Sequence, residues 1–108
     1  MSTRNAVITQ VRLLASPSEQ MEYAQNVDFV HVPGELVEMF CSLFQPKSSS
    51  FVAEFSRDEM MDLAHLYGLV VEAGRIEVGS VRELLKLKEW RRVIEVAKDL
   101  CERLERPA

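Results

Sequence analysis

The sequence predicts a mainly helical α+β fold: four to five helices with a small N-terminal strand pair, all-α being the alternative. Two observations point to the strands. Residues 7–14, VITQVRLL, alternate with Val7, Thr9, Val11 and Leu13 on one side, and residues 27–32, VDFVHV, are rich in β-branched residues. A third points to the helices: apolar residues recur at three and four through the rest of the chain, and serine-led capping signals precede several of these runs.

Taken in order, Ser16-Pro17-Ser18-Glu19 offers an N-cap, a proline at the first helical position and a reciprocal carboxylate, opening a helix over about 17–25. Pro33 suits the start of a second helix over 34–44. Its apolar face is wide (Leu36, Val37, Met39, Phe40, Cys41, Leu43, Phe44), which marks it as the central helix of the core. Gln45-Pro46 ends it, because the residue before proline is pushed out of the helical region. Lys47 to Ser50 reads as a polar connection. Ser56-Arg57-Asp58-Glu59 opens a third helix, with Met60, Leu63, Ala64, Tyr67, Val70 and Val71 on its inner side and Gly74 as its stop. Ser80-Val81-Arg82-Glu83 opens a short helix to about Leu87. The last helix is the clearest pattern: Trp90, Val93, Ala97, Leu100 and Leu104, flanked by Ile94 and Cys101. Trp90 is expected to be a main core residue packing toward residues 34–44.

A chain of 108 residues fits a single domain, 1–108, and buries about two thirds of its unfolded surface without metal or disulfide support. An apolar share of 47% argues against disorder. No apolar run approaches the ~20 residues that cross a bilayer. MSTRNAVITQ does not resemble a secretion signal, so the expected location is the cytoplasm. Cys41 and Cys101 sit within apolar helical patterns and are expected as buried free thiols.

Chemistry is sparse. His31 and His65 stand far apart with no cysteine or second histidine at ligand spacing, which argues against a zinc site. The four glycines are scattered and make no phosphate loop, and Ser48 to Ser50 make no nucleophile elbow. Nothing in the sequence lowers the pKa of Cys41. The expectation is a protein that is not an enzyme and carries no cofactor or metal.

Charge is more informative. The net charge of -4 argues against direct nucleic-acid binding. Residues 51–79 hold two basic and six acidic side chains, whereas residues 80–108 hold eight basic and six acidic. Glu54, Asp58 and Asp62 are spaced by four, with Glu59 beside them. Capping and the helix dipole account for Asp58 and Glu59 but not for Asp62. The cluster therefore reads as a docking surface for a basic partner: Glu54, Asp58, Glu59 and Asp62 supply charge, and His65, Tyr67, Phe55 or Leu66 supply anchors where exposed. The cations near the end, Arg82, Lys86, Lys88, Arg91 and Arg92, are interleaved with glutamates at helical spacing and read as a solvated face.

The order of an ITQVRLL run, VHVPGELVEMF, SSSFVAEFSRDEMMDLAHLYGLV and a closing SVRELLKLKEWRRVIEVAKDL resembles small immunity proteins of bacterial contact-dependent growth inhibition and related polymorphic-toxin systems. The resemblance implies a cytoplasmic, non-enzymatic protein that neutralises one cognate toxin domain. It further implies a basic toxin, a nuclease being the expected class, blocked at its active or substrate-binding surface. The alternative from the residues themselves is a small helical adaptor that takes a partner helix in a groove beside residues 34–44.

Overall fold

The computed structural model describes residues 3–27 and 31–106. Seven helices occur among them: α1 (Thr3–Ala15), α2 (Pro17–Asn26), α3 (Val32–Leu43), α4 (Ser49–Val52), α5 (Arg57–Gly74), α6 (Val81–Leu84) and α7 (Lys88–Glu105). No strand occurs among the described residues. The expected strand pair is thereby corrected, and the all-α alternative holds. Residues 7–14 lie inside α1, whose buried side chains are Val7, Val11 and Leu14. Val7 and Val11 satisfy a period of two and a period of 3.6 equally; Leu14, seven residues on from Val7, belongs to the helical one. Of the second expected strand, residues 28–30 lie outside the described residues. Its flanks are the C-cap of α2 at Val27 and the N-cap of α3 at His31.

The four long helices form an antiparallel bundle. Val37 of α3 meets Gly74 of α5, and seven residues further along each helix in opposite directions Phe44 meets Tyr67. Arg103 near the end of α7 pairs with Asp62 near the start of α5. Arg4 at the start of α1 donates to the Leu104 carbonyl at the end of α7. Each long helix packs on two others, in the ring α1–α3–α5–α7–α1, and the three short helices occupy the connections. Contact between the first and last helices is the broadest in the molecule.

The polar ends of these helices are capped as serine chemistry dictates. Ser56 and Glu59 form a reciprocal capping box at α5. Ser16 and Ser80 accept from the N3 amides of Glu19 and Glu83, but the glutamates do not reciprocate. Glu83 instead accepts from the Gly79 amide. The polar connection Lys47–Ser50 turns out to hold the start of α4, with Ser48 as N-cap to Phe51.

The last helix packs chiefly on α1 and α5. Trp90 is fully buried, and its indole N–H donates to the Gln20 side-chain oxygen at 2.9 Å. Gln20, also fully buried, turns its NH₂ onto the carbonyls of Leu13 and Leu14 at the end of α1. One amide thus joins α1, α2 and α7 with its donors and acceptor all used. In the most apolar helix, α3, only Glu38 and Ser42 are fully exposed. Val32, Pro33, Leu36 and Phe40 face inward, while Val37, Met39, Cys41 and Leu43 stay half-exposed.

Candidate functional site

The acidic residues at the start of α5 are drawn largely into the protein's own structure. The Arg4 guanidinium grips Glu59 with two parallel bonds of 2.9 and 2.7 Å, and it also donates to the Glu54 and Leu104 carbonyls. Its backbone amide donates to the Glu54 carboxylate at 3.0 Å. Glu54 therefore places an anion on one of the unfilled amides of α1's first turn, where the helix dipole favours it. The bond from Arg4 holds the Glu59 carboxyl down at about 2, helped by the Ser56 amide. Glu59 reciprocally raises the Arg4 guanidinium. Arg4 also lies over the Phe55 ring, 5.3 Å from its centre.

Asp62 pairs with Arg103 at 3.1 Å. Asp58 is exposed and makes no ion pair among the described residues. His65 and Tyr67 are both exposed, but at 3.6 residues per turn they lie roughly 160° apart around α5. His65 shares a side with Asp58 and Asp62. Tyr67 packs its ring 5.2 Å from Phe44 on the α3 side. Phe55 and Leu66 are buried and offer no anchor. Met61, the most exposed large apolar side chain at 64%, stands between Asp58 and His65 on the outer face. Surface placement follows from the helical wheel, but partners 50 or more residues away, such as Arg4, leave no local trace.

A second acidic surface is left without such partners. From Leu13 to Pro46 the sequence contains no lysine or arginine. Glu19 and Glu22 on α2 and Glu38 on α3 are exposed, Glu35 is partly so, and none of the four makes an ion pair among the described residues. The dipole accounts for Glu19 and Glu35, which stand in first turns, but not for Glu22 or Glu38. Glu35 and Glu38 stand beside the half-exposed Met39 and Cys41, whereas Glu19 lies toward Arg12 of α1.

Beside it, between the start of α3, the end of α5 and α6, lies a cleft of about 270 Å³. Pro33, Val37, Ala73, Ile76, Val78 and Leu84 supply apolar lining, and His31, Glu38 and Glu77 supply the polar groups. His31 is held at both nitrogens. Nδ1 accepts from the Gly34 amide, which requires Nε2 to carry the proton that it donates to the Val78 carbonyl at 2.7 Å. Glu77 is exposed and, like Glu38, makes no ion pair among the described residues. Gly74 permits the cleft's floor: a Cβ there would stand 3.0 Å from Val37 Cγ1.

The described residues contain no group of three or more histidine, cysteine or acidic side chains placed to hold a metal ion. Both cysteines are free and half-buried rather than fully buried, and burial pushes both thiols up. No helix of the described residues is long and apolar enough to cross a membrane. No protein family, curated protein or solved structure matches the chain.

Proposed function

We propose that this chain is an immunity-type inhibitor: a small helical protein that binds one cognate toxin domain and covers its basic active or substrate-binding surface. A nuclease is the toxin class whose chemistry best complements it. The observation that carries the reading is the acidic side of α3, where Glu35 and Glu38 stand beside Met39 and Cys41 with no ion pair among the described residues, on a stretch from Leu13 to Pro46 that holds no lysine or arginine. Unpaired surface charge of one sign costs the fold a little in self-repulsion and gains association rate with an oppositely charged partner. The outer face of α5, with Asp58, Met61 and His65, adjoins this reading as a second contact area supplying an apolar anchor. The adaptor alternative has less support. It would rest on the half-exposed Val37, Met39, Cys41 and Leu43 of α3, which carry no charge to select a partner.

Co-expression tests the proposal. A tagged copy is used to retrieve its toxin from the native cell, and the toxin domain is then expressed with and without this chain. Protection of the host, with binding that weakens as salt rises, is the expected result. No protection against any domain retrieved would overturn it. Reversing Glu35 and Glu38 to lysine should abolish protection while the protein still folds. If instead Asp58→Lys with Asp62→Lys abolishes it and the α3 reversals do not, the α5 face carries the contact.

A further inference from the structure

The cleft at the start of α3 combines two features that suit one kind of side chain. Its walls are apolar, from Pro33, Val37, Ala73, Ile76, Val78 and Leu84. Its rim carries two carboxylates from different elements, Glu38 on α3 and Glu77 in the α5–α6 connection, with no ion pair to either among the described residues. The cation next in sequence to this rim, Arg75, makes an exposed pair with Glu72. α5 ends at Ala73-Gly74 in the cleft wall, where the dipole favours a cation, with the Glu72 and Ala73 carbonyls already accepting from the Arg75 and Ile76 amides. The opposite pole, the start of α3, is muted there because Pro33 has no N–H and the Gly34 amide is taken by His31.

From this we infer that the cleft is a slot for one arginine side chain presented by a partner protein, its aliphatic stem against Val37, Ile76 and Val78 and its guanidinium between Glu38 and Glu77. Long cationic side chains lay their methylenes on apolar surface and keep the charged head at the rim, which this arrangement reproduces. A planar guanidinium also bridges two carboxylates in a way that an ammonium does not. An anionic or purely apolar ligand is disfavoured by the same two glutamates. The inference rests on the inhibitor reading, since it names the chemistry by which a basic toxin would be held.

The test uses N-acetyl-arginine methylamide as probe in an NMR titration of the full chain, with the neutral isostere N-acetyl-citrulline methylamide beside it. Shifts centred on the amides of Val37, Gly74, Ile76 and Val78 are expected in the millimolar range, with the citrulline probe at least about tenfold weaker. Glu38→Gln with Glu77→Gln should weaken the arginine probe by about tenfold or more, whereas Asp99→Asn with Glu102→Asn, the same charge change on α7, should not. Equal binding of both probes, shifts elsewhere, or no shifts would overturn the slot. In the protection assay, probe binding without loss of protection in the Glu38/Glu77 variant would overturn the slot as a docking point and leave the inhibitor reading standing. Probe binding by a chain that protects against no toxin would do the reverse.

Discussion

The two ends of the bundle are held together by opposite kinds of chemistry. At one end Gln20 and Trp90 form a neutral, fully buried hydrogen-bonded unit that ties α1, α2 and α7. At the other, Arg4 gathers α1, α5, the α4–α5 turn and the end of α7 with charged groups that keep partial contact with water. Both fasten α1 to α7, yet they answer differently to pH and salt. The neutral end depends on packing and geometry alone; the charged end depends on the ionisation of Glu59.

The largest expected effect is at the neutral end. Trp90→Ala should cost about 3–5 kcal/mol in chemical denaturation, because it opens a cavity and leaves the Gln20 oxygen without its donor. A variant melting within a degree or two of the parent would show that this end does not hold the core. Arg4→Ala comes next, at about 1.5–3 kcal/mol, the usual worth of hydrogen bonds to charged groups. Its cost should shrink in high salt, whereas the cost of Trp90→Ala should not.

Acid should separate the ends further. With its carboxyl lowered from 4.5 to about 2, Glu59 stabilises the fold fully above its unfolded value and loses that contribution as pH falls from about 4.5 toward 2. After allowance for solvent screening the loss is about 1–2 kcal/mol. Glu59→Gln should remove that part of the acid sensitivity, measured as unfolding free energy across this range. An unchanged acid profile would mean that other carboxylates govern it. The smallest effect concerns the caps. Ser56→Ala and Ser80→Ala should each cost ~0.5–2 kcal/mol through loss of the N-cap acceptor. No measurable loss in either would mean that the side-chain cap adds nothing there.

Features set by neighbours in sequence were legible; those set by distant ones were not. The starts of α2, α5 and α6 follow from Ser16, Ser56 and Ser80, and α7 follows from its apolar spacing. The first helix was misread because its valines, isoleucine and threonine favour strands, and because Val7 and Val11 fit both periods. Burial against α7 settles the matter in favour of helix, an outcome no local propensity contains. Likewise the acidic run at Glu54–Asp62 looks open in sequence and is mostly closed in space by Arg4 and Arg103. The open acidic side of α3 was legible in principle. Its signal is the absence of any cation from Leu13 to Pro46, which averages over longer segments dilute.

The broad contact between α1 and α7 has a consequence for how the chain reaches its native state. A bundle folded hairpin by hairpin would need only local contacts and would be quick. Here the first helix finds its main partner only when the last is present, and the loop that joins them is almost the entire chain. Closing it costs entropy that grows with loop length, though slowly, and the reward comes late. During synthesis the part of α1 that packs on α7 must therefore wait uncovered until α7 has emerged, with only α2 and α3 to cover the rest. The protein should fold as one unit, more slowly than its helical content suggests, and a chain cut short before Lys88 should be prone to aggregation rather than partly folded.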